Sequence, residues 1–567
     1  MARTVAIGVQ DFGDLIKGNC FYVDKTGFIR EWWESKDSVT LITRPRRFGK
    51  TLNMSMLEHF FSNRYEGQGA LFEGLSIWEE EKYRNLQGTY PVISLSFANV
   101  KETTFSDAYE MICQILYSIY VRNDFLLESN HLTSEQKAYY SHILDSLRER
   151  SSSVEVATSL QQLSALLECH YGKKVIILLD EYDTPMQEAY VNGYWEEAAA
   201  FTRSLFNATF KTNPYLERAI MTGITRVSKE SIFSDLNNLK VVTTTSDEYT
   251  TSFGFTEEEV FAAMDEMGMT EKEKVKTWYD GFVFGNTSDI YNPWSILNYL
   301  DTGKISTYWA NTSANSLVGK LIREGNRRIK ESFETLMQGG TIVTEMDEQI
   351  VYNQLDDNEE AIWSLLLASG YLKVVKAGGY IPDGEECEEE DYELALTNLE
   401  VRLMFKNMIK GWFKKESACY NDFIKALMVG DLDAMNEYMN RVTASVFSSF
   451  DTGKQPSHTE PERFYHGFVL GLMVDLQNRY VITSNRESGF GRYDIMLQPK
   501  GEADDAVIIE FKVFNKKKEE TLSDTLHAAL AQIEEKQYEK VLIHQGIAPE
   551  RIRKYGFAFQ GKEVLIG

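Results

Sequence analysis

Three short stretches of this chain combine residue types and spacings that suit phosphate chemistry. The first is Arg44-Pro-Arg-Arg-Phe-Gly-Lys-Thr51. A Gly-Lys-Thr turn between a strand and a helix aims backbone N–H groups and a helix N-terminus at an anion. Arg47, Phe48 and Gly49 would line such a cradle, Lys50 would reach the β/γ-phosphates of ATP, and the Thr51 hydroxyl would ligate Mg2+. The full G-x-x-x-x-G-K-[ST] spacing asks for glycine at position 44, where this chain has arginine, so the motif alone also fits a glycine turn without a ligand. The second stretch, Val175-Ile-Ile-Leu-Leu-Asp-Glu-Tyr-Asp183, is an apolar run ending in carboxylates, a costly arrangement unless something binds them. Asp180 is the candidate for ordering Mg2+ and Glu181 for polarising the attacking water, against the alternative that both cap the next helix. The third, Thr222-Gly-Ile-Thr-Arg226, ends another apolar run. Thr222 would lie beside Asp180, near the γ-phosphate or the water. Arg226 either neutralises transition-state charge or pairs with a structural carboxylate.

The elements around these residues read as strands and helices in alternation. Short apolar runs at 39–43, 92–97, 175–179 and 218–222, with helical patterns at 52–61, 105–121 and 156–170 between them, indicate a parallel sheet covered on both faces. From about 254 to 445 the pattern turns mostly helical, opening on Thr256 with Glu259 as a capping box. Aromatic residues gather at Trp278-Tyr279, Tyr291, Trp294 and Tyr308-Trp309, where core packing competes with base stacking and is the better fit. Alternation returns after 446, with a helix over 462–476, strands at 493–497 and 506–512, a helix over 522–533 and a strand at 540–544. The expected organisation is a phosphate-loop ATPase domain over 1–250, a helical connecting region over 251–445 and a C-terminal α/β domain over 446–567.

At 567 residues the chain exceeds a single core. No apolar run approaches a membrane span, no signal-peptide pattern opens the chain, and its five cysteines form no C-x-x-C pair, so a cytoplasmic protein without zinc or disulfides is expected. A net charge of −26 excludes a broadly basic nucleic-acid surface. Eight of the eleven residues 383–393 are acidic, which reads as a solvated loop. Residues 451–567 carry 16 Lys+Arg against 18 Asp+Glu, so nucleic-acid contact there would rest on local patches such as Lys516-Lys-Lys518 and Arg551-Ile-Arg-Lys554.

Taken together, Tyr22-Val-Asp-Lys-Thr26, the 44–51 loop, Leu179-Asp-Glu-Tyr-Asp183, Thr222–Arg226 and Phe464-Tyr-His-Gly-Phe468 resemble bacterial AAA-ATPase-like proteins with a C-terminal nuclease-like domain of the PD-(D/E)XK superfamily. The phosphate loop of that family also lacks the first glycine. The resemblance implies a restriction-endonuclease-like fold at the C-terminus and a second site at Asp494 and Glu510-Phe-Lys512. Residues i and i+2 of a strand share a face, so Glu510 and Lys512 point the same way and Asp494 on the neighbouring strand can join them. Asp494 and Glu510 would hold Mg2+, which activates water, while Lys512 positions the nucleophile or stabilises charge on the phosphate. A strand pair with a plain Glu510–Lys512 salt bridge gives the same pattern. Glu462 could supply a third carboxylate. Gln532 matches a position some members use, and Tyr538 follows it by six residues where the family spacing is four. His466, one helical turn from Glu462, reads as an oriented structural residue rather than a base.

The leading expectation is an ATP- and Mg2+-dependent nuclease or nucleic-acid-processing protein, of the kind that defence or mobile-element systems use by analogy. The alternatives are a regulatory ATPase switch whose C-terminal domain only binds protein or nucleic acid, and an ATPase acting on protein partners. Arg44, Arg46 and Arg47 offer charge to phosphate, to a second subunit of a homo-oligomer, or to the domain carrying Glu510 and Lys512.

Overall fold

The computed structural model describes residues 3–150, 153–211, 213–225, 232–233, 236–309, 318, 321–322, 327–346, 359–377, 391–412, 420–446, 469, 473, 476, 479–484, 487–488, 491–492, 494–501, 504–516, 518–560 and 563–567. The chain divides into two compact units, Met1–Arg323 with Thr335–Arg402, and Glu324–Glu334 with Leu403–Gly567.

The first unit is built on β1 (Val39–Thr43), which runs through a tight loop into α1 (Lys50–Phe61). Next come β2 (Val92–Ser96), α2 (Phe105–Val121), α3 (Ser153–Tyr171), β3 (Val175–Asp180), α4 (Thr184–Asn192), β4 (Leu216–Gly223) and β5 (Leu239–Val242). All five strands are parallel, in the order β2-β3-β4-β1-β5. Every residue of β1 and β3 is buried. Helices cover both faces of a parallel sheet, and this is why these strands read as unbroken apolar runs. The order has a functional consequence. β4 lies between β1 and β3, so the carboxyl ends of the three strands carrying the loop, Asp180 and Thr222 stand side by side.

Beyond β5 the helices expected from the sequence are present, beginning with β6 (Phe255–Thr256) and α5 (Glu257–Glu266). Thr256 caps α5, with Glu259 closing the capping box. Two small antiparallel sheets also occur here, absent from the sequence reading. One joins β6 to β7 (Phe282–Phe284) and β8 (Thr287–Tyr291) just before α6 (Pro293–Thr302). The other joins β9 (Ile342–Glu345), β10 (Leu372–Ala377) and β11 (Asp391–Leu396). Strands of two to six residues are too short for alternation to show in the sequence. Tyr279, Tyr291 and Tyr299 are buried with Phe255 and Val260 in one cluster, so these aromatics pack a core instead of offering faces to bases. Most of the acidic run at 383–393 lies outside the described residues.

The second unit is a mixed sheet of β12 (Tyr480–Ser484), β15 (Ile495–Pro499), β16 (Ala506–Val513), β17 (Ile552–Gln560) and β18 (Glu563–Ile566), in that order. A short ladder of β13 (Glu487–Ser488) and β14 (Gly491–Arg492) precedes β15. Between β16 and β17 run α7 (Leu522–Lys536) and α8 (Lys540–His544). The strand expected at 540–544 is therefore a short helix. Val541-Leu-Ile543 is a brief apolar run, which periodicity alone cannot tell from a buried helical turn. The strand that pairs parallel to β16 is β17, a connection that needs the intervening helix to cross over. Of the helix expected over 462–476, the structure describes Val469, Met473 and Leu476, all buried in the unit's core.

Candidate functional site

In the first unit the loop leaves β1 and turns into α1 through two left-handed residues, Arg47 at φ 66° and Gly49 at φ 82°. Gly49 is the N-cap of α1, so no side chain caps the helix and its first N–H groups face the loop. Lys50 is buried. Its Nζ donates to the carbonyls of Arg44 (3.0 Å) and Pro45 (3.1 Å) and stands 3.6 Å from Glu181 Oε1. Thr51 Oγ1 donates to Asp180 Oδ2 at 2.7 Å, and Thr222 Oγ1 donates to Asp180 Oδ1. Asp180 thus receives hydroxyls from the ends of both neighbouring elements. Burial and the nearby Glu181 charge push its carboxyl above the ordinary carboxylate range, with the two hydroxyls and Lys50 acting against them. Hydroxyl and carboxylate oxygens are the donors Mg2+ takes, so Thr51 and Asp180 fit that ion.

The structure separates the residues of this site by what they touch. Asp180 does not cap α4, whose N-cap is Asp183. Glu181 sits at φ 53°, a left-handed backbone that costs a non-glycine residue ~1 kcal/mol and persists where the surroundings impose it. Phe48 was expected in the phosphate cradle, but its ring is buried with ring centroids 4.7 Å from Phe282 and 5.4 Å from Phe284, so only its backbone remains for a ligand. Arg44 likewise does not face the cradle. Its guanidinium donates to the carbonyls of Thr43 (2.9 Å) and Thr243 (2.6 Å), with longer contacts to Glu248 and Tyr249, and lies 4.6 Å over the Phe284 ring. Burial lowers its pKa to about 9. Arg47 is exposed and stacks on Trp294 at 4.3 Å. Arg226 lies outside the described residues.

Sequence reading assigned no role to Asp183 or Gly223. Asp183 is fully buried, and its Oδ2 accepts from the backbone N–H groups of Ile224 and Thr225, both at 2.9 Å. Burial and the Glu181 charge raise its pKa. A Cβ on Gly223 would lie 2.6 Å from Tyr182 Cε1 and 2.8 Å from Asp183 Oδ1, so only glycine fits there. The signal was present as a Gly directly after Thr222 and a third acidic residue after Asp-Glu.

In the second unit Ile495 pairs with Ile509, which sets Asp494 at the strand end opposite Glu510. Asp494 Oδ2 accepts the Phe511 N–H at 2.8 Å. Glu510 is buried and its Oε1 accepts from Gln532 Nε2, while Lys512 Nζ donates to Gln532 Oε1 at 2.6 Å. One amide on α7 therefore bridges the acid and the base, which share a strand face as expected. Gly556 on β17 allows this: a Cβ there would meet Leu526 Cδ1 at 2.8 Å, so its absence lets α7 approach the sheet. α7 ends at Gln537 in a left-handed turn, and the chain folds back so that the Tyr538 hydroxyl reaches 3.2 Å from Gln532 Nε2 despite the altered spacing. Burial, with the Glu510 and Asp494 charges adding to it, raises the Tyr538 pKa. Carboxylates at Asp494 and Glu510 beside a lysine are a donor set that suits Mg2+. Glu462 and the 464–468 motif, with His466, lie outside the described residues. Among the described residues, the close three-carboxylate group is Glu257, Asp280 and Asp289, none of them an expected ligand. The basic cluster at 551–554 is paired: Arg551 and Arg553 with Asp505, and Lys554 with Glu534 and Glu539.

The family described as predicted AAA-ATPase matches residues 6–233, and the PD-(D/E)XK nuclease superfamily matches residues 460–567. The chain therefore joins an AAA-ATPase-like domain to a PD-(D/E)XK nuclease superfamily domain. It is also 25% identical over 524 residues, 90% of this chain and 89% of the relative, to a protein of Azotobacter chroococcum mcd 1 described as an uncharacterized protein in the vnfD 5′ region. Among the described residues no helix is long and apolar enough to cross a membrane.

Proposed function

We propose that the first unit binds and hydrolyses ATP with Mg2+, and that this ATPase is coupled to a Mg2+-dependent phosphodiesterase site acting on nucleic acid at Asp494, Glu510 and Lys512. The observation that carries the nucleotide reading is the convergence of Thr51 and Thr222 on Asp180, beside Lys50 and Glu181. Gly49 and the first N–H groups of α1 would hold the phosphates and Lys50 would move from the loop carbonyls to the β/γ-phosphates. Mg2+ would supply charge neutralisation there and a bound nucleophilic water at the second site. Glu181 would orient water at the first site, and Lys512, held by Gln532, would stabilise the charge developing on a scissile phosphate.

The test is incubation of the full chain with single- and double-stranded DNA and RNA, with Mg2+ and with or without ATP. Cleavage lost in both Asp494→Ala and Glu510→Ala supports the phosphodiesterase, and cleavage that persists unchanged in both variants removes it. Loss of ATP binding in Lys50→Ala, with ATP retained unhydrolysed in Glu181→Gln, supports the ATPase assignment. Rapid turnover by Glu181→Gln refutes the role of Glu181.

A second reading has a specific support. The pairing of Arg551, Arg553 and Lys554 with carboxylates, in a chain of charge −26, reduces the cationic surface available to a phosphate backbone. In that reading the second unit is a non-catalytic module for a protein or nucleic-acid partner, switched by ATP. Absence of cleavage together with ATP-dependent capture of a defined oligonucleotide would favour it.

A further inference from the structure

Asp183 is a fully buried carboxylate next to the nucleotide site, and three of its four side-chain contacts lead to one place. Its Oδ2 accepts from Ile224 N (2.9 Å), Thr225 N (2.9 Å), Thr225 Oγ1 (3.0 Å) and Gln187 Nε2 (3.1 Å). The first three belong to the turn in which β4 ends. Tyr182 fastens the same turn from the other side. Its N–H donates to Thr222 O at 3.0 Å and its hydroxyl to Thr225 O at 2.7 Å. The fourth contact leads elsewhere. Gln187, one helical turn into α4, accepts at Oε1 a 3.5 Å contact from Arg46 Nη2, at the crown of the phosphate loop. That crown is held in turn through the Arg46 carbonyl, which accepts from Asn292 Nδ2 (3.3 Å) and Trp309 Nε1 (3.0 Å).

A turn that needed only acceptors for its N–H groups would be served at lower cost by a neutral hydroxyl or amide oxygen than by a buried carboxylate, because desolvating a charge is expensive. What the carboxylate adds is direction: it accepts only, and these four donors lie on the turn or on the link to the loop. Resting on the ATPase reading above, we propose that Asp183 and Gln187 are positioning residues. They join the crown of the phosphate loop at Arg46 to the Gly223–Thr225 turn, so that loop occupancy sets where Thr222 stands against Asp180. Displacement of Arg46 by bound phosphate would reach the turn through one glutamine and one carboxylate, with no step through solvent.

Two readouts test this, one of which needs no activity. In hydrogen exchange on the full chain without nucleotide, Gln187→Ala and Arg46→Ala should each speed exchange of the peptide containing Ile224 and Thr225 by ~3-fold or more while leaving the peptide over Val92–Ser96 unchanged. In turnover, Asp183→Asn places an amide among donors. ATP affinity should stay within ~3-fold, because Lys50, Gly49 and Thr51 are untouched, while kcat should fall ~10-fold or more. Arg46→Ala combined with Gln187→Ala should be no worse than either alone, since both break one link. Unchanged exchange at 224–225 in both Gln187→Ala and Arg46→Ala overturns the proposal, as does strict additivity of the two in kcat. Should Asp183→Asn not fold, the Gln187→Ala measurements decide alone. If the wild type turns over no ATP, the ATPase reading fails, and the exchange result still decides whether the link exists.

Discussion

Gly223→Ala tests the geometry at the end of β4 most directly. A Cβ at that position would lie 2.6 Å from Tyr182 Cε1 and 2.8 Å from Asp183 Oδ1. Ordinary contact begins near 3.4 Å, so the backbone or one neighbour must yield by nearly 1 Å. Neither neighbour is free to do so. Tyr182 is buried and bonded to Thr225 O, and Asp183 is buried and bonded to two backbone N–H groups. Overpacking of this kind costs ~1–3 kcal/mol. Pushing the turn off Asp183 strands a buried N–H, for another ~1–3 kcal/mol. Alanine returns ~0.5–1 kcal/mol by restricting the unfolded chain. The expected net loss is ~2–4 kcal/mol, a drop of ~2–5 °C in the unfolding midpoint of a unit as large as the first. Because the displaced segment carries Thr222, whose hydroxyl bonds Asp180, hydrolysis of ATP should fall ~10-fold even at temperatures where the protein is folded. Calorimetry of the full chain and steady-state hydrolysis measure the two effects. A Gly223→Ala protein that unfolds at the wild-type midpoint and hydrolyses ATP at the wild-type rate would refute the reasoning.

Arg44→Gly restores the glycine that phosphate loops usually carry, yet should weaken the protein. It empties the space over Phe284 and strands the carbonyls of Thr43 and Thr243, for a net loss of ~2 kcal/mol after relief of the buried charge, read by denaturant unfolding. Gly556→Ala should press α7 away from β17 through Leu526 and lower cleavage at the second site more than ATP hydrolysis at the first, a split that paired assays of the two activities check. Asp280 supplies a pH test. Its carboxyl is raised from 3.8 to about 6, chiefly by burial, so the folded state holds the proton more tightly than the unfolded state. The contribution to stability is present below pH 3.8 and is lost as pH rises through about 6. Asp280→Asn should therefore stabilise the protein at pH 8 relative to pH 5, by ~1 kcal/mol once partial exposure is discounted, in unfolding curves at the two pH values. An equal effect of the substitution at both pH values would show that Asp280 is not the titrating group.

The parallel sheet was legible because its strands β1 and β3 are buried on both faces and so must be apolar throughout, whereas the partly exposed edge strand β5 gave no such run and was not read. Val39–Thr43 and Val175–Leu179 have no competing use, and Gly49-Lys50-Thr51 and Asp180-Glu181 sit where such strands end. The α2 helix spans Phe105–Val121, the range its periodicity marks. The same local logic failed at 540–544, where a brief apolar run fits a helical turn and a strand equally well, and the long-range pairing of β16 with β17 settles the choice.

Local sequence also placed Glu510 and Lys512 on one face, since a strand alternates by geometry alone. It could not tell which residue would hold them. That Gln532 bonds both, and that Tyr538 reaches Gln532 across a helix end, follow from how closely α7 approaches the sheet at Gly556. Arg44 shows the same division in the first unit. By type and place it looked like a ligand for phosphate, and only the carbonyls of Thr243, Glu248 and Tyr249, some 200 positions along the chain, turn it inward. The sequence by itself determined which residues are candidates for phosphate chemistry and which runs must be buried, because residue type and short-range periodicity are local properties. The tertiary structure decided which of them meet, because hydrogen-bond partners and steric gaps are set by segments that only folding brings together.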